Sequence, residues 1–261
     1  MPPRPVALVT GSARRLGRAI ALELARHGWD VAVHYRGSAD EAHATAAELR
    51  ALGAQAETFS ADLAEEAEAR ALVPRVVKRL GGLQAVVNNA SLFEHDTAAD
   101  FRYDTLDRHW RANTAPAIVL ARALHEHLLA TGGTGCVVNL LDQKLWNPNP
   151  DHLSYTLSKA ALASATVLLA QALAPQLRVC GVAPGITLPS GPMSEADFAA
   201  AHRLTPLERS SAPQDIAGAV RFLLEAPAVT GTTLLVDGGQ HLTRQPRDVY
   251  FLAQPSKDPP R

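Results

Sequence analysis

The sequence predicts a single-domain α/β protein, a doubly wound parallel sheet with helices on both faces. Three observations carry that prediction. Short β-branched runs alternate with longer helical patterns along all 261 residues, no linker divides them, and a strong glycine turn follows the first strand alone. Regular alternation of this kind builds parallel sheets covered on both sides. Right-handed crossovers leave an open doubly wound sheet or a barrel, and the one glycine-rich first turn favours the open sheet.

The elements follow in order. Residues 6–9 read as a buried strand, and 16–27 repeat apolar residues at helical spacing. A strand at 31–33 precedes an Ala- and Glu-rich helix at 39–52; a strand at 56–60 precedes a helix at 65–80. A strand at 85–87, a long helix at 106–129, a strand at 136–140 and a helix at 155–173 continue the series. Strands at 179–182 and 234–236 flank a helix at 216–224. The stretch 184–213 is too long for an ordinary connection and reads as a substrate loop at about 185–212, with a short helix near 195–202. The Pro-rich residues 254–261 read as a frayed end.

Composition narrows the function. The 25 Lys and Arg against 26 Asp and Glu leave a net charge of −1, which removes the electrostatic case for nucleic acid or an anionic membrane as partner. The apolar fraction of 47% is too high for a disordered chain, while residues 160–174, the longest near-apolar stretch, fall short of a membrane span. Two cysteines cannot build a disulfide framework, so a cytoplasmic location is expected, with Cys136 and Cys180 as buried thiols. No metal is expected: His125 and His127 point to different sides of a helix and no Cys/His cluster exists.

Two places carry chemistry. Residues 10–17, Thr-Gly-Ser-Ala-Arg-Arg-Leu-Gly, stand between the first strand and the first helix, where glycine lets the backbone approach a pyrophosphate and the helix supplies unpaired N–H groups. The second strand ends in His34, Tyr35, Arg36, Gly37 and Ser38, without the acid that an NAD site places on the ribose 2′-hydroxyl; Arg36 and Arg14 suit a 2′-phosphate, so NADP(H) is the expected cofactor. Tyr155 and Lys159 share a helix face after a strand end, and an ammonium beside a phenol favours phenolate, an acid–base group near neutral pH.

With these motifs in hand, the chain resembles the short-chain dehydrogenase/reductase family over nearly its whole length. Asp62 and Leu63 after the third strand, Asn88, Asn89 and Ala90 after the fourth, Asn113, Tyr155 with Lys159, Pro184 with Gly185, and the terminal Val-Asp-Gly-Gly at 236–239 complete the match. The resemblance implies a Rossmann-type seven-stranded parallel sheet, commonly a homotetramer, and a proton relay of Tyr155 and Lys159 with Asn113 and water. It implies cofactor contacts from Gly11, Arg14, Arg15, Leu16, His34, Tyr35, Arg36 and Ser38. Further contacts would come from Asp62, Leu63, Asn89, Ala90, Ser91, Tyr155, Lys159, Pro184 and Gly185.

Two departures sharpen the reading. Arg15 stands where the family usually has glycine, and Asp142 where it usually has serine. Both resemble the pteridine reductase branch, which implies that Ser91 and Arg15 line the slot beside the cofactor and that Phe93 stacks on a flat heterocycle. An ionised carboxylate would repel the oxyanion of ketone reduction, whereas it suits ring N–H donors or assists tyrosine in protonating an imine-type nitrogen. Asp142, Tyr155, Lys159 and Asn113 are the expected catalytic set; Arg15, Ser91, Phe93, Asp142 and Tyr155 the expected substrate contacts. The expected activity is NADPH-dependent reduction of a pterin or folate-like C=N bond. A reductase of unrelated carbonyls and a non-catalytic NADP(H) sensor are the alternatives, and the intact Tyr155–Lys159 pair argues against the sensor.

Overall fold

The computed structural model describes residues 3–189 and 194–253. Seven strands form one fully parallel sheet: β1 (Val6–Val9), β2 (Asp30–Tyr35), β3 (Ala56–Ser60), β4 (Ala85–Asn88), β5 (Gly135–Leu140), β6 (Leu177–Pro184) and β7 (Thr233–Val236). Their order is β3-β2-β1-β4-β5-β6-β7, so the winding reverses between β1 and β4, which is where doubly wound folds bind ligands. Nine α-helices are described: α1 (Arg15–Arg26), α2 (Ala39–Ala51), α3 (Glu66–Leu80), α4 (Tyr103–His109), α5 (Ala115–Thr131), α6 (Leu153–Ala172), α7 (Glu195–Arg203), α8 (Pro213–Glu225) and α9 (Val249–Ala253).

The sheet is apolar on both faces because its strand residues alternate between two cores. Ala7 and Val9 of β1 pack with Ile20 and Leu24 of α1, Leu49 of α2 and Val220 of α8. Val6 and Leu8 pack instead with Leu72 of α3 and Leu120, Leu124 and Leu128 of α5. Leu8 and Leu124 are fully buried, and truncating either to Ala should cost about 2–5 kcal/mol.

Three features differ from the sequence expectation. The helix expected at 106–129 is interrupted by a π-helical turn, Trp110–Thr114, a break that side-chain periodicity does not encode. A 3₁₀ turn at Gln143–Leu145 follows β5, and another at Gln240–Leu242 leads into α9. Helix α6 is long and apolar enough to cross a bilayer by length and composition, but its Ser154, Ser158, Lys159 and Thr166 are buried in the fold, as in a core helix. The expected frayed end at 254–261, and residues 190–193 of the expected substrate loop, lie outside the described residues.

Candidate active site

The strand ends of β1, β4, β5 and β6 open on one cavity of about 550 Å³. Arg15, Leu16, Asn89, Ser91, Phe93, Asp142, Tyr155, Lys159, Pro184 and Gly185 line it, so expected residues from five separate motifs meet there.

The turn between β1 and α1 is held by β4. Thr10 Oγ1 accepts the N–H groups of Asn89 and Ala90 at 2.9 Å each, and Asn89 Nδ2 donates to the Thr10 carbonyl at 2.8 Å. Gly11 has φ +62°, and a Cβ on Gly17 would drive into the Gly11 carbonyl, so both glycines are required by the path of the chain. Arg15 adopts φ +54°, a left-handed conformation that glycine takes without penalty, and its Nη2 reaches across to the Pro189 carbonyl at 2.8 Å.

His34 is a correction. It is buried, its Nδ1 accepts the Gly11 N–H at 3.0 Å, and its Nε2 consequently donates to the Ala61 carbonyl at 3.0 Å. Both nitrogens are engaged by backbone, so His34 shapes the turn rather than contacting a cofactor. Tyr35 and Ser38 are half-buried at the same strand end, and Arg36 is exposed. The side chains of Arg14 and Arg36 have no hydrogen-bond or ion-pair partner among the described residues. Asp62 is half-buried, its Oδ1 accepting the Ala64 N–H at 3.0 Å, while Leu63 belongs to the core.

At the opposite end, Tyr155 donates its hydroxyl proton to Asp142 Oδ2 at 2.8 Å, and Asp142 Oδ1 accepts the Lys144 N–H at 2.9 Å. Burial, with the carboxylate of Asp142, pushes the Tyr155 phenol well above its ordinary range. Burial likewise raises the Asp142 carboxyl and lowers Lys159 to about 8. Lys159 Nζ donates to the Leu140 carbonyl at 2.7 Å and lies 5.8 Å from the Tyr155 ring centroid. The phenolate expected from the Tyr–Lys spacing is therefore not what this geometry favours: the carboxylate beside the hydroxyl keeps the phenol protonated.

Asn113 is bonded through both ends of its side-chain amide. Its Oδ1 accepts the Leu92 N–H at 2.7 Å and the Ser91 hydroxyl at 3.2 Å, while Nδ2 donates to the Leu92 carbonyl and Ser158 Oγ, both at 3.0 Å. With its side-chain amide committed to these bonds, Asn113 positions the Ser91–Leu92 segment. Phe93 is 46% exposed, stacks on His152 at 4.1 Å and meets the Tyr155 ring edge-on at 4.7 Å, so one face is already occupied.

Sequence reasoning missed the remaining wall, formed by Lys144, His152, His95, Gln245, Asp248 and Phe251. His152 sits at φ +54° before α6 and donates Nδ1 to the Glu94 carbonyl at 3.0 Å. Lys144 is buried, with its pKa lowered by that burial. Burial works against the charge of Asp151, but Arg247 and the Asp248 N–H overcome it and hold the carboxyl below its usual range. No group of three or more His, Cys, Asp or Glu with metal-binding geometry occurs among the described residues.

A family model described as enoyl-(acyl carrier protein) reductase matches residues 11–241. The solved FolM alternative dihydrofolate reductase 1 of Brucella suis, in complex with NADP, is 40% identical with a TM-score of 0.89, covering 94% of this chain and 98% of that one. Its Brucella canis counterpart, also with NADP, is 40% identical with a TM-score of 0.86, covering 92% and 96%. A Streptomyces violaceoruber protein, assigned as ketoacyl reductase 2 of granaticin polyketide synthase, is 37% identical, covering 92% of this chain and 98% of its own.

Proposed function

Because the chain belongs to the short-chain dehydrogenase/reductase family, we propose that it is an NADPH-dependent reductase of pterin-like C=N bonds, of the dihydropteridine or dihydrofolate type. The observation that carries this reading is the 2.8 Å hydrogen bond from the Tyr155 hydroxyl to Asp142. A carboxylate at that place opposes an oxygen gaining negative charge and favours a nitrogen gaining a proton. Similarity to two NADP-bound FolM proteins supports the same reading.

The turn fits a dinucleotide. Its glycines allow close backbone approach, the N-terminus of α1 presents unpaired N–H groups, and Arg14 and Arg36 are free to meet a 2′-phosphate. When bound, the dihydronicotinamide supplies a hydride to the carbon of the C=N bond. Tyr155, kept protonated by its surroundings, donates a proton to the nitrogen, Asp142 orients its hydroxyl, and the tyrosine is reprotonated from solvent. Lys159 holds the β5 end through the Leu140 carbonyl and keeps its ammonium 5.8 Å from the Tyr155 ring centroid. Arg15, Ser91 and Phe93 bound the substrate slot.

The ketoacyl reductase similarity and the family model's description favour a second reading, reduction of a carbonyl or acyl substrate. NADPH consumption with dihydropterins, dihydrofolate and simple ketones separates the two: turnover confined to carbonyls would overturn the pterin reading. We further propose a homotetramer, for which exposed Leu129, Leu157, Val167 and Leu168 supply apolar surface, and a cytoplasmic location, where Cys136 and Cys180 stay thiols. Light scattering checks the assembly.

A further inference from the structure

The C-terminal segment folds back against the wall that receives the Tyr155 hydroxyl. Asp151, in the loop before α6, accepts two guanidinium nitrogens of Arg247 at 2.9 Å each and the Asp248 N–H at 2.7 Å. That clamp seats Asp248 in the cavity wall, with its carboxylate 4.0 Å from the Lys144 ammonium. Lys144 is 3% exposed, donates to the Asp151 carbonyl, and offers its backbone N–H to Asp142. Two carboxylates and one ammonium, from segments far apart in the chain, thus meet beside the proton donor.

We propose that Asp248 is a positioning residue for the reaction. Working against Lys144, it sets the pH range over which the Asp142–Tyr155 pair keeps the proton it delivers. A nearby negative charge makes ionising Asp142 harder and a nearby ammonium makes it easier; with side chains 19% and 4% exposed for Asp248 and Lys144, solvent screens both only in part. Asp248 and Lys144 push the Asp142 carboxyl in those opposite directions, and Asp248 also raises the Tyr155 phenol.

Other titratable groups surround the pair: Tyr155 and Lys159 on α6, His152 before it, Asp151 and Lys144 in the preceding loop, His95 and Asp96 after β4, and Arg15 on the first turn. Asp96 is taken by the Ser154 hydroxyl and N–H, Asp151 by Arg247, Lys159 by the Leu140 carbonyl and His152 by the Glu94 carbonyl. Arg15 is held by the Pro189 carbonyl, and His95 lies 3.8 Å from Asp151. Among the described residues, Asp248 is the carboxylate within ion-pair distance of Lys144.

The test titrates Asp142 in the full chain by carboxyl-carbon NMR, the resonance assigned with Asp142→Asn. Asp248→Asn should move its midpoint down, Lys144→Met should move it up, and Asp248→Glu should leave it near the original. The kinetic arm, which rests on the proposed function, uses NADPH and dihydrobiopterin. The alkaline fall in kcat should start at lower pH in Asp248→Asn, leaving it about three- to tenfold slower on that limb, since one pH unit is a factor of ten. Midpoints that do not move, that move the same way in both charge-removing variants, or that move in Asp248→Glu as in Asp248→Asn would overturn the proposal. Absent dihydrobiopterin turnover would unseat the functional reading instead, and the NMR comparison would still decide this one.

Discussion

The two ends of the cavity contrast in how they are made. At the first end, the outward-facing charges are Arg14 and Arg15 on the β1–α1 turn and Arg36 at the end of β2, all exposed. Around Asp142, the groups are buried or half-buried side chains drawn from the end of β5, α6, the loop before it and the C-terminal segment. The first end presents shape and exposed charge, whereas the second holds charges close enough to alter one another. Loss of a group at the first end should therefore weaken binding, and loss at the second should change proton transfer.

Tyr155→Phe is the strongest test of that division. Turnover should fall about 10²–10⁴-fold while NADPH affinity stays nearly unchanged, as read by single-turnover kinetics and fluorescence titration. An equal loss of affinity would erase the contrast. Asp142→Ser should cost about 2.7–4 kcal/mol in pterin turnover and leave simple ketones reduced as well as before or better. Rates on both substrate classes check it, and a gain on every pterin would count against the nitrogen-protonating role.

His34 tests whether the first end is as free of buried titration as it looks from outside. Burial holds its imidazole neutral, with a pKa lowered from 6.5 to about 4. The unfolded chain takes up a proton near 6.5 and the folded chain does so only near 4. The associated stability is therefore complete above 6.5 and is lost as pH falls through that window. The loss should reach roughly 3 kcal/mol, and urea midpoints at neutral and acid pH should show less of it in His34→Asn.

Smaller effects belong to the arginines. Arg14→Ala and Arg36→Ala should each weaken NADPH by one to two decades, on the basis of about 1.5–3 kcal/mol per charge-assisted contact, and leave NADH almost untouched. Equal losses for both dinucleotides would remove the 2′-phosphate from the argument. Arg15→Gly should relieve about 1 kcal/mol of left-handed backbone strain and raise Tm by roughly 2–4 °C in calorimetry, despite losing the exposed bond to Pro189.

The contrast also explains what could be read in advance. Strand β3 falls at 56–60 as its residue pattern predicts, and the glycine turn announces itself by its place between the first strand and the first helix. Tyr155 was legible from its spacing to Lys159, and Asp142 only through the family resemblance, as the residue at the usual serine position; the two meet at 2.8 Å. Lys144, His152 and Asp248 were not legible, because no local pattern tells a buried charge from a solvated one. His34 misled for the same reason: its position at a strand end gave no sign that Gly11 and Ala61 would take both nitrogens.

The π turn at Trp110–Thr114 has a consequence for how this chain tolerates changes of length. A helix advances about 100° per residue, so a turn one residue wider than α-helical geometry holds an extra residue without breaking the rod. Here that residue keeps two successive side chains on α6: Asn113 meets Ser158 Oγ and Thr114 meets the Ser158 carbonyl. Deleting a single residue from 110–112 would give a more regular helix and turn Asn113 away from Leu92. The bonds from Asn113 and Thr114 to Ser158 thus depend on a register that the wider turn alone provides.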